Sequence, residues 1–331
     1  MKLSVIIPLY NSEKYVSKCL DSLVNQNISE DIYEIVIVND GSKDNSLLVA
    51  EEYAQKYSNI TIYSQENKGV AAARNQGVIK ANGEFIFFVD SDDYLALNTF
   101  ETIIKELEKD IDLLTFISIQ TSRTDLDDTQ KNEVNVVSEE IIDGTDFIAK
   151  YGFKDAIGWF IIRKEFLVKE NMVYLEGKML EDISFNIKLL TIVNKVLYLP
   201  LDVYRYVSRE NSIMTKKNAL HFKNIISDYE RVLLELETQI QKFSSTKINV
   251  VNQLRKKQNI YHFYLFMRLM RSSMSITEIN KNINHYKKIK LHPLRYYSKS
   301  IKVKSLIFIF NKKFFFFPFI RVYRLFSKRA I

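Results

Sequence analysis

The sequence predicts an α/β protein with a doubly wound, mostly parallel sheet of the Rossmann-like kind, followed by a C-terminal helical extension. Three observations support this prediction. Short apolar stretches alternate with helical patterns over the first hundred residues, as β-helix-β units require. Polar residues follow each apolar stretch at once, where the carboxyl end of a strand would lie. After about Thr215 the pattern changes to long helical stretches.

The elements follow from their local patterns in chain order. Ser12 can cap a helix over Glu13 to Asn25, which carries apolar residues at helical spacing. A further helix is expected over Met179 to Leu190, and a basic loop over Arg205 to Met214. Strands are predicted where β-branched and aromatic residues cluster, at Leu3 to Leu9, Tyr33 to Val38, Asn59 to Ser64, Glu84 to Val89, Ile111 to Ile119 and Val196 to Leu201.

The composition limits where this protein works and what it contacts. One cysteine, Cys19, excludes an internal disulfide, and the chain enters a predicted strand without a signal peptide, so we expect the cytoplasm. The formal net charge of +7 conceals an asymmetry. Residues 281–331 hold 14 Lys and Arg and no Asp or Glu, whereas the preceding residues hold 33 basic and 40 acidic side chains. Such polarity suggests an end that faces nucleic acid or a membrane.

The most informative stretch is EFIFFVDSDDYL, residues 84–95. A run typical of a strand buried on both faces ends at Asp90, and Asp92 and Asp93 follow within four positions. Carboxylates this close repel one another, and a hard divalent ion shared with ligand phosphates is the usual way to hold them together. The alternative is a solvated acidic turn that closes the strand.

Three further positions allow two readings each. Arg74, early in the Ala-rich helix of residues 67–82, could balance a diphosphate or could be an ordinary surface arginine. Trp159, beside Gly158, could form a stacking floor for a sugar or belong to the core. The pair Glu181 and Asp182 begins a helix, where the helix dipole alone would favour carboxylates.

The chain divides by pattern into three parts: residues 1–214, a helical accessory region at 215–298, and a basic aromatic tail at 299–331. In the tail, Lys312 and Lys313 interrupt the apolar run, so neither half approaches the ~20 apolar residues of a spanning helix. Phenylalanines flanked by basic residues are typical of an element that lies in a membrane interface. FFFFPFI is too apolar for a nucleic-acid surface, so we expect an anionic membrane surface as partner and no nucleic acid.

Three stretches of the chain together closely resemble the motifs of glycosyltransferase family 2. They are SVIIPLYN, EIVIVNDGSKDNS and NKGVAAARNQGVIKANGEFIFFVDSDD. The match is strong over residues 1–100 and looser over 140–215. The resemblance implies the GT-A fold and an inverting, nucleotide-sugar-dependent enzyme. UDP is the family's commonest nucleotide, so a UDP-sugar is the expected donor. Nothing is carried over to the helical and basic remainder.

The resemblance also implies residue roles. In the family, the positions of Pro8, Tyr10 and Asp40 hold the nucleobase, and that of Arg74 contacts the nucleotide. Asp90-Ser91-Asp92 looks like the family's DxD metal motif, which implies Asp90 near the ribose and Asp92 as ligand of Mn²⁺ or Mg²⁺ on the diphosphate. The position of Asp93, next to this motif, varies in role within the family. The Glu181-Asp182 pair is similar to the family's ED motif, which implies Asp182 as general base.

Inverting chemistry needs a base on the face of the sugar opposite the leaving diphosphate, with a separate centre of positive charge on that diphosphate. Arg209 could add to that charge, and residues 208–214 could close over the nucleotide. The arginine-tryptophan signature of processive polysaccharide synthases is missing, which favours transfer of one hexose or N-acetylhexosamine.

The expected acceptor is a lipid-linked or cell-surface glycan precursor, at the inner face of the cell membrane. Two other classes remain open from the sequence. A nucleotidyltransferase would need a glycine- and lysine-rich triphosphate loop, and PLYNSEKY is not one. A non-catalytic nucleotide-sugar-binding scaffold would use the tail to recruit partners.

Overall fold

A computed structural model describes residues 1–122, 137–152, 154–208, 219–295 and 298–327. The chain forms two compact units, Met1–Glu210 and Asn211–Ile331. The first unit contains the described strands, and the described part of the second is helical.

The first unit opens with alternating strands and helices, as the sequence predicts. In chain order these are β1 Leu3–Leu9, α1 Val16–Val24, β2 Tyr33–Asn39, α2 Ser46–Lys56, β3 Ile60–Ser64, α3 Val70–Lys80 and β4 Phe85–Phe88. It continues less regularly with β5 Tyr94–Leu95, α4 Phe100–Glu106, β6 Leu113–Thr121, α5 Gly144–Tyr151, β7 Phe160–Arg163, α6 Lys164–Lys169, α7 Glu181–Ile192 and β8 Val196–Val207.

The eight strands among the described residues form one sheet in the order β3-β2-β1-β4-β7-β6-β8-β5. The first four strands in this order run parallel to one another, and β6 runs parallel to β8. The exceptions are β7, which runs antiparallel to both its neighbours, and β5, which runs antiparallel to β8. The prediction of a mostly parallel α/β sheet is therefore confirmed, with a reversal at β7 that the sequence did not indicate.

Strands β1, β2 and β4 lie at the centre of the parallel part and are buried along their whole length. Helices cover both faces of such a strand, which explains why these stretches read as continuous apolar runs without alternation. The carboxyl ends of the three strands meet at one edge of the sheet, because parallel neighbours point the same way. Tyr10 and Asp40 follow the ends of β1 and β2 directly, and Asp90 lies two positions after the end of β4.

Two local predictions in this unit were wrong. Helix α1 begins at Val16, after a turn, and Ser12 does not cap it; instead the Ser12 hydroxyl lies 2.8 Å from that of Ser91. Arg205 was expected in a loop but lies in β8, which runs to Val207. Residues 209–214 of the predicted loop lie outside the described residues.

The second unit contains five helices in its described residues: α8 Ala219–Phe243, α9 Ile248–Arg271, α10 Ile276–Lys288, α11 Ile301–Asn311 and α12 Lys313–Ser327. Its core includes Phe266, Phe310 and Phe316, whose rings pack at centroid distances of 5.3 to 5.9 Å. None of the described helices combines the length and the apolar character that crossing a bilayer requires.

Candidate active site

The acidic turn after β4 places three carboxylates together at the edge of the sheet. The backbone N–H of Asp93 donates to the carbonyl of Asp90 at 3.0 Å, which closes the turn. One carboxylate oxygen from each of Asp90, Asp92 and Asp93 lies within 4.8 Å of the other two. Asp90 and Asp92 are partly exposed, whereas Asp93 is buried.

Arg74 connects this turn to helix α7. It projects from the first half of α3, and only 3% of it is exposed. Its Nη2 donates to Asp90 Oδ1 at 2.9 Å, and its Nη1 donates to Asp182 Oδ1 at 2.8 Å and to Glu181 Oε1 at 3.3 Å. The alternative of a solvated surface arginine therefore does not hold, and three predicted site residues converge on one guanidinium.

The Glu181-Asp182 pair lies in the first turn of α7, but it does not cap the helix. The N-cap is Leu180, and both carboxylates bond to Arg74 instead. A quarter of the Asp182 side chain is exposed, against 7% for Glu181. Asp182 is therefore the member of the pair that a bound ligand can reach.

The charge environment makes Asp182 suitable as a base near neutral pH. Burial raises the pKa of Asp182 to about 7; Arg74 opposes this shift, while the charges of Glu181 and Asp90 add to it. Burial also raises the pKa of Glu181, again against the effect of Arg74. A general base works best when its pKa lies near the working pH.

Asp93 has a different environment from the other two aspartates of the turn. Tyr204 on β8 donates its hydroxyl to Asp93 Oδ2 at 2.6 Å, and the N–H of Val207 donates to Asp93 Oδ1 at 2.8 Å. The Tyr204 hydroxyl also accepts from the N–H of Asp90 at 3.2 Å. Burial, and next the charge of Asp90, raise the pKa of Asp93 to about 8. Asp93 thus fixes the acidic turn to β8.

The sequence did not indicate the role of Tyr204 in holding the acidic turn. The ring of Tyr204 packs closely against Gly158, where there is no room for a larger side chain. A Cβ atom added at Gly158 would lie 2.4 Å from Cζ of the Tyr204 ring, and its φ of +70° is a conformation that suits glycine. The sequence indicated Gly158 only as a neighbour of Trp159. A tyrosine within an apolar strand carries no local signal of such a role.

The residues of this site fit a divalent cation. Five carboxylates gather there, at Asp90, Asp92, Asp93, Glu181 and Asp182, and the buried cation that bonds to three of them is Arg74. Burial and the negative charge of neighbouring carboxylates together raise the pKa values of Asp93 and Asp182. Carboxylate oxygens are the ligands that Mg²⁺ and similar hard ions prefer. Because Asp93 faces Tyr204 and Val207, Asp92 and Asp90 are the residues that would hold the ion.

The residues predicted to hold the nucleobase lie at the carboxyl ends of β1 and β2. Pro8 is buried near the end of β1, and Tyr10 just beyond it is 43% exposed. Asp40 is buried and accepts hydrogen bonds of 2.8 Å from the backbone N–H groups of Lys68 and Gly69. Asp40 therefore shapes the segment that leads into α3, while Tyr10 offers an accessible ring.

The remaining predicted residues lie away from ligand access or outside the description. Trp159 is 2% exposed, stacks on Phe147 at 6.0 Å and donates its indole N–H to the carbonyl of Ala156 at 2.8 Å. Trp159 is therefore a core residue and does not form a stacking floor for a sugar. Ser91 is buried against Ser12. Arg209 lies outside the described residues.

The chain is similar in sequence to known proteins of one family. The model of the family described as "Glycosyl transferase family 2" matches residues 4–170. The poly(ribitol-phosphate) beta-glucosyltransferase of Bacillus spizizenii is 45% identical over 118 residues, which cover 34% of this chain and 19% of that protein. The chain spans 62%, 19% and 31% of the length of three curated relatives that it matches.

Two solved structures share the fold. Residues 1–349 of S. aureus TarS, in complex with UDP-GlcNAc, align with a TM-score of 0.58 at 21% identity and cover 88% of each chain. The mannosyltransferase PcManGT from Pyrobaculum calidifontis, in complex with GDP-Man and Mn²⁺, aligns with a TM-score of 0.56 at 14% identity, over 93% of this chain and 85% of that one.

Proposed function

The chain belongs to glycosyltransferase family 2, and from that premise we propose that it transfers one sugar, with inversion, from a UDP-sugar to a lipid-linked or cell-surface glycan precursor. The sugar is a hexose or an N-acetylhexosamine. One observation carries the proposal: a single buried guanidinium, that of Arg74, binds both Asp90 of the acidic turn and Asp182 of α7. The donor diphosphate site and the base are thereby held at a fixed separation.

Asp182 is the general base of the proposed reaction. Its Oδ1 bonds to Arg74, which orients the carboxylate and leaves Oδ2 to accept the proton of the acceptor hydroxyl. As that proton moves to Asp182, the acceptor oxygen forms a bond to the anomeric carbon and the bond from that carbon to the diphosphate breaks. The nucleoside diphosphate leaves on the opposite face of the sugar, so the anomeric configuration inverts.

Asp92 and Asp90 are the proposed holders of Mn²⁺ or Mg²⁺. When bound, such an ion neutralises negative charge that develops on the departing diphosphate. Arg74, through Asp90, keeps the acidic turn in the orientation that presents these carboxylates to the donor. Tyr10 is the proposed stacking partner of the nucleobase, and the exposure of its ring supports this role.

The names of similar proteins support the donor and acceptor classes. UDP-GlcNAc is the ligand in the TarS complex, and the name of the Bacillus spizizenii relative gives poly(ribitol-phosphate) as its substrate. The donor is therefore assigned by class, and a panel of nucleotide-sugars with Mn²⁺ identifies it through thermal shift and nucleotide release.

The substitution Asp182→Asn tests the base assignment. The variant retains the shape of the side chain but cannot accept the proton, so we expect nucleotide release from the preferred donor to fall by about 10² or more while donor binding is unchanged. Water can serve as acceptor in this assay. The matched control is Asp146→Asn, which removes an exposed carboxylate from the first turn of another helix, α5, and should leave release unchanged.

Binding and turnover must separate in this experiment. Donor affinity measured by calorimetry should agree within error for the wild type and Asp182→Asn. Nucleotide release at the wild-type rate by Asp182→Asn would remove Asp182 from the base role.

A further inference from the structure

The last two helices of the second unit have apolar residues on both sides. On the inner side, Phe310 of α11 and Phe316 and Ile320 of α12 are fully buried. On the outer side, α12 exposes Phe314 and Phe315 at 83% and 47%. An amphipathic helix of a globular unit should instead present polar residues outward.

The exposed apolar residues of α12 share one face of the helix. Their separations of one, four, eight, eleven and twelve positions from Phe314 fall within a single stripe. Phe308 of α11 joins them, because its ring packs on that of Phe315 at 5.6 Å. We name the whole set the aromatic face, and it comprises Phe308, Phe314, Phe315, Pro318, Val322, Leu325 and Phe326.

Inward-pointing basic residues fix the orientation of this face. Lys313 donates to the side-chain oxygens of Asn280 and Asn284 at 2.5 and 2.8 Å. Arg324 donates to the backbone carbonyls of Met274 and Ser272 at 2.8 and 2.5 Å. Lys313 ties α12 to α10, and Arg324 ties it to the segment between α9 and α10, so the opposite side is held outward.

Exposed basic side chains lie on the same segment as the aromatic face, and we name them the basic rim. Lys302 and Lys304 are exposed on α11, Arg321 on α12 and Lys312 between the two helices, and residues 281–331 contain no Asp or Glu. A contiguous exposed apolar surface with a charged rim marks an interaction site. The uniform sign of this rim decides which partner fits it.

We propose that the aromatic face inserts into the headgroup boundary of an anionic lipid bilayer, with the basic rim bound to the lipid phosphates. Aromatic side chains supply apolar burial, and basic residues near an anionic surface add electrostatic attraction. A second copy of the chain fits poorly, because a two-fold contact would set one basic rim against the same basic rim. The anionic cytoplasmic leaflet of the cell membrane is the surface that these features match.

Vesicle binding by the full chain tests the proposal. We expect co-sedimentation with vesicles of phosphatidylcholine and phosphatidylglycerol, weaker binding to phosphatidylcholine alone, and weaker binding at high salt. The double variant F314S/F315S should bind the anionic vesicles at least about tenfold more weakly. The control I79S/V168S removes two apolar side chains of the first unit that are 71% and 68% exposed, and it should bind like the wild type.

Three results would overturn the proposal. They are no binding of the wild type to anionic vesicles, undiminished binding of F314S/F315S, and a concentration-dependent dimer that F314S/F315S abolishes in a protein that ignores vesicles. Matching thermal melts confirm that the variants are folded.

Nucleotide release without vesicles is measured in parallel and should be equal in the wild type and F314S/F315S. Its absence in both would count against the proposed transfer and not against membrane binding.

Discussion

Arg74 is the residue on which the geometry of the candidate site depends. Its guanidinium bonds to Asp90, Glu181 and Asp182 from three separate parts of the chain. The carboxylates keep the pKa of Arg74 well above its ordinary value even though burial opposes the charge. A buried cation with several anionic partners is expensive to remove, since the partners lose their compensation.

Arg74→Met should therefore destabilise the first unit by about 3 kcal/mol. Trp159, the only tryptophan, lies in this unit, so its fluorescence during denaturant unfolding reports the change. The control Lys195→Met breaks an exposed pair with Asp110 in the same unit and should cost at most about 1 kcal/mol. Equal losses in the two variants would contradict the role given to Arg74.

The stability deficit of Arg74→Met should depend on pH. The pKa of Asp182 in the folded state, about 7, is raised above its ordinary value, so folding favours its protonated form. Its contribution to stability is present at acid pH and is lost as the pH rises through the folded pKa. Without Arg74 the folded pKa of Asp182 is higher still, so the wild type and Arg74→Met differ in protonation only above about 7, and we expect the deficit to grow as the pH rises from 7. A deficit that does not change with pH, in unfolding measured across this range, would contradict this account.

The activity of the wild type should depend on pH through the same group. Asp182 must be deprotonated to act as base, so kcat/KM for nucleotide release should fall as the pH drops below about 7. The charge of Glu181 raises the pKa of Asp182, and Glu181→Gln should therefore move the acid limb to lower pH. An acid limb that stays in place, or moves to higher pH, would show that Glu181 does not act on Asp182 in this way.

At the scale of elements, β8 and the loop that precedes β7 hold the acidic turn through Tyr204. Gly158→Ala would place a methyl group against the Tyr204 ring, in addition to the strain of a positive φ. Gly177 has the same φ of +70° but no atom within 4 Å of an added Cβ, so Gly177→Ala measures the strain alone. Strain of this kind costs of order 1 kcal/mol.

We expect Gly158→Ala to lose more stability than Gly177→Ala, by about 1 to 3 kcal/mol, and to bind Mn²⁺ more weakly. The weaker binding follows because a displaced Tyr204 releases Asp93 and with it the turn that carries Asp90 and Asp92. Chemical denaturation and manganese titration measure the two effects. Equal behaviour of the two alanine variants would contradict the link from Gly158 to the turn.

The elements that the sequence predicted well are those whose pattern is local. Strand β1 has the predicted bounds, because an apolar run ends where the strand ends. The start of α1 and the end of β8 were misjudged. In both cases a tertiary contact decides the boundary: the Ser12–Ser91 hydroxyl pair before α1, and the bond from Val207 to Asp93 in β8.

At the scale of the whole molecule, the carboxylate residues of the site could be found from the sequence and their connection could not. The clustering of Asp90, Asp92 and Asp93 predicted a divalent-cation site. A motif resemblance implied Asp92 as the metal ligand, Asp90 near the ribose and Asp182 as the base. That Arg74 binds Asp90 and Asp182 at once depends on the packing of α3 against the sheet, over sequence separations of 16 and 108 residues. The reversal at β7 likewise follows from topology, and its four residues carry no signal of direction.

The charge asymmetry also acts at this scale. In our account the acidic part of the chain, residues 1–280, transfers the sugar, and the basic part, residues 281–331, binds lipid. The sequence alone predicted a basic aromatic tail. Only the structure divides its phenylalanines into a buried set and an exposed set, because the division follows the helical face on which each residue lies.

The most direct test of the account is anomalous scattering from crystals grown with Mn²⁺ and UDP. We predict a manganese peak at the acidic turn, with Asp92 and Asp90 as protein ligands and the diphosphate beside it, and no peak there in Asp92→Asn. A bound UDP with no manganese at this turn, or manganese held elsewhere in the first unit, would contradict the central claim that these carboxylates bind the metal of the transfer reaction.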